Sequence, residues 1–457
     1  MKIIVLSGGS GKRLWPLSNN SRSKQFLKIL RNPNNELQSM AQRMWTQLKS
    51  VKLQDSCFIA TSRAQVEIIQ NQLGPNTPLI IEPSSRDTFP AIALACSYLY
   101  SEVKVDLEEV ICVLPVDQFV EEEFFYQIKG LESLIIETGA DLALLGVRPT
   151  QPDERFGYII PKILGEIDCN YLHVNNFIEK PNLILAEKLV KQNALWNCGV
   201  FAFKLKHMIS FISNEKWPLA YDKMIDIFEK LPKTSFDYKV VEKTEKMIVV
   251  PYVGEWQDLG TWNSLTEQLD TPVLGKGFIS PDSKNTHLIN ELNLPITILG
   301  LSNVVVAASP DGILVSEKGA SPRIKQFMKN NNERPMYEER RWGWYKVLDY
   351  TSFEKGDNVL TKKIGIHAGK NLSYQTHKKR SEVWTIISGS GEFALDGDII
   401  PIKAGDVLKI PVGAKHAIKA ITDVEIIEVQ KGSELIEEDI QRLLLSWEDI
   451  EEHCRKV

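Results

Sequence analysis

The chain is short of several things, and each shortage removes a class of function. Six cysteines, Cys57, Cys96, Cys112, Cys169, Cys198 and Cys454, occur without any CxxC pairing. Reduced, partly buried thiols of a cytoplasmic protein fit that pattern. No apolar stretch reaches the roughly 18 residues that a membrane span requires, and the first residues run into a strand-like segment with no charged n-region or cleavage site. A cytoplasmic chain with no membrane partner is therefore expected. The net charge is -5 and no long basic run offsets it, which argues against nucleic acid as a partner. Histidine is scarce too: of seven, only His173 and His207 precede residue 270.

What is present is an ordinary globular composition, 43% hydrophobic and 25% charged over 457 residues, with length for two or three domains. The most informative stretch is Ile3-Ile4-Val5-Leu6-Ser7-Gly8-Gly9-Ser10-Gly11-Lys12-Arg13-Leu14-Trp15-Pro16, with Lys24-Gln25-Phe26-Leu27 behind it. The apolar run reads as a buried strand, and the glycines let the backbone turn with its N–H groups facing an anion. A Walker loop would need glycine and Ser or Thr where Leu6 and Arg13 stand. A dinucleotide fingerprint starting at Gly9 would need a third glycine where Leu14 stands. What is left is a glycine turn followed by two cations, Arg13 and Lys24, suited to a triphosphate whose bridging oxygen becomes a leaving group. The plain alternative is a strand-to-loop turn with basic residues on its surface.

Gly8-Gly9-Ser10-Gly11, Arg13-Leu14-Trp15-Pro16-Leu17-Ser18 and Lys24-Gln25-Phe26-Leu27 together resemble the signature of bacterial mannose-1-phosphate guanylyltransferases, within the sugar-phosphate nucleotidyltransferases. Lys12 stands where that family usually has Thr, and Ser23 where it has Pro; neither change removes a charge from the loop. The resemblance implies a Rossmann-like α/β domain over 1–271 with a mostly parallel sheet, GTP and mannose 1-phosphate as substrates, and Mg²⁺ as cofactor. It implies nucleotide contacts from Leu6, Gly8, Gly9, Ser10, Gly11 and Lys12, and from Glu82, Arg86, Thr88 and Pro90 in a second segment where Asp87 replaces the usual Asn. Gly157-Tyr158, Glu179-Lys180-Pro181 and Trp196-Asn197 with Gly199 resemble the sugar-phosphate side. Singly, a Gly-Tyr pair is more often a bend beside a core tyrosine, and Glu-Lys-Pro an exposed strand end. Their shared order along the chain is what supports the assignment.

Strand-like and helix-like periods alternate from the first residue to about 150, which predicts a helix-covered sheet with its ligand at the carboxyl ends of the strands. Asp117 follows the apolar run Val110 to Val116 and so falls at such an end. Alone, an Asp there reads as a turn or N-cap residue. The second carboxylate is Asp258 in Trp256-Gln257-Asp258-Leu259-Gly260-Thr261-Trp262, and the resemblance implies that Asp117 and Asp258 bind the magnesium ion, whose preference is for oxygen ligands. Arg13, Lys24, Asp117 and Asp258 are thus the expected catalytic set. The attacking phosphate is largely deprotonated at neutral pH, its second pKa being about 6, so no general base is required.

From 272 the pattern changes to short strands, which the resemblance makes a small β-helical appendage, ending in a linker from Lys325 to Pro335 around Asn330-Asn331-Asn332. A β-rich unit over 336–432 carries Gly369, Gln375, His377, Glu382 and Gly389, then Gly405, Pro411, Gly413 and His416. This resembles the two motifs of a cupin barrel, with Gln in place of the first His. Residues two apart on a strand share a face, so Gln375 and His377 both point inward, and Glu382 and His416 complete a metal site suited to Zn²⁺ or another divalent transition metal. A metal-free barrel with satisfied polar residues is the alternative.

Bifunctional relatives use this domain to isomerise mannose 6-phosphate. Their neighbouring histidines are missing from Lys378-Lys379-Arg380-Ser381-Glu382-Val383-Trp384. Arg380 is kept, and Lys378 or Lys379 would have to supply the titratable base that isomerisation needs. The residues over 433–457 read as an acidic helical tail whose Leu443, Leu444, Leu445 and Trp447 pack on a second copy as a homodimer, or on their own barrel. The expected activity is guanylyl transfer from GTP to mannose 1-phosphate, giving GDP-mannose for polysaccharide biosynthesis. The rivals are an added isomerase, another sugar 1-phosphate, or a silent sugar-nucleotide-binding regulatory subunit. Such a subunit would be expected to lose Arg13, Lys24, Asp117 or Asp258, and all are present.

Overall fold

The computed structural model describes residues 1–9, 12–162, 170–328, 334–353, 356–436 and 439–456, without the side chain of Lys12. Ser10, Gly11, Cys169 and the asparagine run Asn330 to Asn332 lie outside the described residues. The chain divides into two units: Met1–Val66 with Gln72–Leu274 and Ser316–Met328, and Glu67–Asn71 with Gly275–Val315 and Lys329–Val457.

In the first unit a nine-stranded sheet is built from β1 (Lys2–Ser7), β2 (Cys57–Ser62), β3 (Leu79–Glu82), β4 (Val110–Pro115), β5 (Leu142–Val147), β6 (Tyr158–Pro161), β7 (Leu172–Ile178), β8 (Leu195–Lys204) and β9 (Met247–Tyr252). Their spatial order is β3-β2-β1-β4-β8-β5-β9-β7-β6. The pairs β3–β2, β2–β1, β1–β4 and β5–β9 are parallel, while β8 and β7 run against their neighbours. The expected mostly parallel sheet is therefore present, with two reversed strands supplied from beyond residue 150. β4 is buried along nearly its whole length, as a strand covered on both faces must be.

Helices cover the sheet where apolar residues recur at helical spacing. Met40–Ser50 begins in a Ser39–Gln42 capping box and buries Met40, Ala41, Met44, Trp45 and Leu48. Thr88–Ser101 is apolar nearly all round and buries Phe89, Ile92, Ala95 and Leu99 in the core. Register then positions the site. Leu6 pairs with Pro115, Ser7 with Thr61 and Ser62 with Glu82, so the glycine turn, Asp117 and Glu82 leave the sheet at one carboxyl edge. The short strand Gln118–Val120 pairs antiparallel with Trp256–Asp258, setting Asp258 opposite Gln118.

In the second unit, short parallel pairs join Gly277–Ile279 to Ile296–Ile298 and His287–Asn290 to Val304–Ser309, as in a β-helix. The barrel has two six-stranded sheets. One includes Asn358–Ile366, Val424–Gly432 and Arg380–Ser388, and the other includes Ile440–Leu444, Tyr374–His377 and His416–Ala420.

Two expectations are corrected. The tail is only partly helical: Ile440–Leu444 is a strand paired with Tyr374–His377, and the helix is confined to Trp447–His453. Open backbone groups on the barrel edge outweigh the helical preference of Leu443 and Leu444. Trp447 and Ile450 are buried with Tyr374, Ala394 and Ala417 of the barrel itself, so the tail docks on its own chain. The expected linker also begins too early, because Ile324–Phe327 is a short helix with Ile324 buried.

Candidate active site

After β1 the chain turns at Gly8 and Gly9. Gly9 has φ of +121°, a conformation that favours glycine, and nothing lies within 4 Å of where its Cβ would stand. The turn is tied from behind. Ser23 Oγ and Gln65 Nε2 donate to the Gly9 carbonyl at 2.8 and 3.3 Å, and Gln65 Nε2 donates to Ser23 Oγ at 2.8 Å. Gln25 Nε2 reaches Ser7 Oγ at 3.3 Å, and Thr61 Oγ1 donates to Gln65 Oε1 at 3.1 Å. This buried network was not legible in the motifs, although the Ser23 hydroxyl occupies the position where proline is usual. Without a partner, each of these polar groups would cost about 1–3 kcal/mol to bury.

Lys24 opens the short 3₁₀ turn Lys24–Phe26. Its Nζ stands 2.6 Å from Asp117 Oδ2 and 3.3 Å from Asp258 Oδ1. Burial acts to lower its pKa, but the two carboxylates overcome that and hold it above the ordinary lysine range. The Asp117 carboxyl shows the converse: burial pushes it up, yet Lys24, and to a lesser extent Arg13, hold it below the usual carboxylate range. Arg13 itself is exposed on the turn. Two aspartates distant in sequence thus converge on one point, and an all-carboxylate donor set of this kind fits Mg²⁺.

On the expected nucleotide side, Leu6 is half-buried in β1 and Glu82 closes β3. Glu82 Oε1 would be 3.9 Å from a Cβ at Gly8, and burial pushes its pKa up to about 7. Arg86 pins a neighbouring loop: Nε and Nη2 donate to Leu231 O at 3.1 and 2.7 Å, and Nη1 pairs with Glu229 at 3.2 Å. Asp87 has φ 74° and ψ 179°, a region otherwise almost reserved for glycine and strained by about 1–3 kcal/mol. Thr88 Oγ1 accepts from Phe236 N at 2.9 Å, and Pro90 is buried in the first helical turn.

On the sugar-phosphate side, Gly157 has to lack a side chain, since a Cβ would lie 2.6 Å from Glu179 Oε2 and 2.7 Å from Phe177 Cζ. Tyr158 is fully buried and its hydroxyl exchanges hydrogen bonds with Asp153 N and O at 2.9 and 3.0 Å, so it sets the loop rather than facing the cleft. Asn197 Oδ1 accepts from Gly199 N at 2.9 Å across a bulge in β8, where Gly199 has φ +70°. Asn197 Nδ2 donates to Asp237 Oδ1 at 2.9 Å. Asp237 was missed because it lies in a separate short helix, Phe236–Lys239. Burial, then the Glu179 charge, pushes its pKa up to about 7. Burial likewise raises Glu179, against the pull of Lys180 at 2.5 Å.

The barrel gathers a second constellation. His377 Nε2 and His416 Nε2 stand 3.2 and 3.5 Å from the two oxygens of Glu382, and one ligand atom from each residue falls within 4.8 Å of the others. His416 Nδ1 donates to Ala414 O at 3.1 Å, leaving Nε2 as the bare nitrogen that faces the cluster. Burial lowers the His377 pKa to about 4. Glu382 would be raised by burial, but His416, His377 and Arg380 hold it below the carboxylate range. Two imidazoles and a carboxylate fit a divalent transition metal.

Gln375 stands beside this set, its oxygen accepting from Ser373 at 2.8 Å and its nitrogen 3.5 Å from His377. Arg380 is buried and donates to Glu382 at 3.0 Å. Lys378 and Lys379 are exposed, and Lys379 pairs with Glu434 at 2.5 Å. The lysines that would have to supply an isomerase base therefore do not face the cluster. Two inward residues were missed. Burial and the Glu382 charge push Glu428 up to about 8, and Gln430 donates to both Glu382 and Glu428, at 3.2 and 2.9 Å.

Among the described residues no helix is long and apolar enough to cross a membrane. Residues 2–271 match the family described as Nucleotidyl transferase, and residues 329–444 the family described as Mannose-6-phosphate isomerase C-terminal. The chain is similar to the xanthan biosynthesis protein XanB of Xanthomonas campestris pv. campestris, 30% identical over 474 residues that cover 96% of this chain and 97% of that protein. It is also similar to the mannose-1-phosphate guanylyltransferase of Escherichia coli, 29% identical over 476 residues, covering 96% and 97%. A Thermus thermophilus crystal structure described as mannose-1-phosphate geranyltransferase aligns over 73% of this chain and 99% of its own, with TM-score 0.61 and 26% identity. A match that takes in every strand and turn of the cleft makes this chain an enzyme of the nucleotidyl transferase family, related to the bacterial mannose-1-phosphate guanylyltransferases.

Proposed function

We propose that the chain transfers the guanylyl group of GTP to α-D-mannose 1-phosphate. A phosphate oxygen of the sugar phosphate attacks the α-phosphorus of GTP, the bond to the bridging oxygen breaks, and pyrophosphate leaves with the electron pair. The observation that carries the reading is the convergence of Asp117 and Asp258 on Lys24 beside the glycine turn. A magnesium ion held by Asp117 and Asp258 would neutralise the facing phosphates and bring them together.

Lys24 and Arg13 offset the charge that builds on the leaving pyrophosphate, together with the N–H groups of Gly8 and Gly9. Ser10, Gly11 and Lys12, which follow in the sequence motif, are assigned to the nucleotide as well. The raised pKa values of Glu179 and Asp237 suit them to accept hydrogen bonds from sugar hydroxyls without burying two full charges. Lys180 faces the sugar phosphate, and Glu82 faces the nucleotide through the turn. No proton has to be removed from the nucleophile, which agrees with a cleft whose named residues include no histidine.

The test is pyrophosphate release from a panel of nucleoside triphosphates and sugar 1-phosphates. GTP with mannose 1-phosphate is expected to give the highest kcat/KM, and a better pair would replace the substrate assignment. A second reading is supported by the buried His377–Glu382–His416 cluster, of which Glu382 lines a pocket together with Arg340, Arg341, Lys362 and Arg442. These cations suit a phosphorylated sugar, and interconversion of mannose 6-phosphate and fructose 6-phosphate by the metal-loaded chain is its assay.

A further inference from the structure

Beside Asp258 three aromatic rings meet. The Phe156 centroid lies 4.7 Å from that of Trp196 and 5.5 Å from that of Trp256. The Nε1 atoms of both tryptophans are buried and have no hydrogen-bond partner among the described residues. A buried indole N–H ordinarily finds an acceptor, and an orphaned one calls for an explanation. Packing alone does not supply it, because phenylalanine would fill the same place without a polar atom to satisfy.

Position points to a ligand. Trp256 and Asp258 are alternate residues of one short strand and project to the same side of it. Arg155, fixed to Asp153 by a bond of 2.9 Å from its Nε, has its pKa raised by that partner and also by the Asp258 charge, and its guanidinium lies 5.5 Å over the Phe156 ring. Gln118, paired opposite Asp258 and so on the same face of the ribbon, likewise has its Oε1 buried without a partner among the described residues. Unused polar atoms of Trp256 and Gln118 thus share the face of the ribbon that carries Asp258.

Resting on the transferase reading, we propose that the Trp256 indole N–H is a substrate-binding donor to a ring hydroxyl of the sugar 1-phosphate, with the Phe156–Trp196 pair as the wall behind it. Trp256→Phe keeps a ring and removes the donor. Loss of one neutral hydrogen bond is expected to raise the KM for mannose 1-phosphate about tenfold, with kcat and the KM for GTP unchanged. Monodeoxy analogues of mannose 1-phosphate locate the acceptor: the analogue lacking it binds wild type and Trp256→Phe equally, while the others keep the difference.

Calorimetric binding of mannose 1-phosphate separates the two readings. If wild type binds it but forms no product, the transferase assignment fails and Trp256 is judged on binding alone. If wild type forms product and Trp256→Phe binds every analogue as tightly as wild type does, the Trp256 proposal is overturned. An equal loss of affinity for GTP and all analogues also overturns it, since that marks a structural role. If wild type binds no sugar phosphate, both fall.

Discussion

The cleft and the barrel both bring carboxylates and nitrogen groups together, but they do so in different surroundings. The side chains of Asp117 and Asp258 are 26% and 35% exposed, whereas those of Glu382 and His416 are 1% and 0% exposed. The cleft acids sit on strand ends and a short two-stranded ribbon, within reach of water and of large hydrated phosphates. The candidate barrel ligands sit within or at the ends of barrel strands, and a second layer of bonds from Arg380, Trp384 and Gln430 orients Glu382 among them. An open, all-oxygen site suits a hard ion that arrives with its substrate; a closed site with imidazoles suits an ion that stays.

The largest test of that contrast removes a cleft acid. Asp258→Asn is expected to slow pyrophosphate release by about a thousandfold, since metal-assisted charge stabilisation is worth several kcal/mol. The same variant should retain the metal content of the barrel, measured by elemental analysis of the purified chain. Loss of barrel metal in Asp258→Asn would show that the two centres are not independent. Arg13→Ala comes next, at about a hundredfold in kcat, the usual value of one preorganised donor at a developing charge.

Much of this contrast was legible in the sequence, and the rest was not for identifiable reasons. Gly9, Lys24 and Asp117 could be found because each lies just past a strand or in the motif that follows one, where local pattern and position agree. Asp237 and Gln65 could not, because they reach the cleft only through tertiary packing and no local pattern marks them. Glu428 is an intermediate case. In Val424–Gly432 the residues Val424, Ile426, Glu428 and Gln430 are all buried, so the two-residue alternation already placed that glutamate inward; its charge argued for the surface. The tail strand Ile440–Leu444 was misread because a leucine-rich segment takes its form from the edge it meets.

A smaller effect separates the centres from the other side. Trp384 Nε1 donates to Glu382 at 3.2 Å and to Glu428 at 3.0 Å, and it holds the ligand carboxylate in place. Groups that orient metal ligands in this way typically change metal affinity by about 10–100-fold. Trp384→Phe should therefore weaken zinc binding by about tenfold in a competition titration, while guanylyl transfer keeps its wild-type kcat.

The smallest effect is in the response to pH, where the two regions carry opposite signs. In the cleft, burial raises Glu82 to about 7, and burial with Glu179 raises Asp237 to about 7. The folded chain therefore holds protons that the unfolded chain, with carboxyl pKa values near 4, has released. Their contribution to stability is complete below about pH 4 and is lost as the pH rises through 7. In the barrel, burial lowers His377 to about 4; its contribution is present above the unfolded value near 6.5 and is lost as the pH falls through 4. Asp237→Asn removes one of the cleft acids without touching the barrel, so between pH 5 and 8 its melting temperature should fall less than that of wild type, by a few degrees. It should also flatten the pH dependence of the KM for mannose 1-phosphate across the same interval. If wild type and Asp237→Asn instead show parallel profiles, Asp237 is ionised throughout, and the sugar side of the cleft holds a buried negative charge that only a cation such as Lys180 can balance.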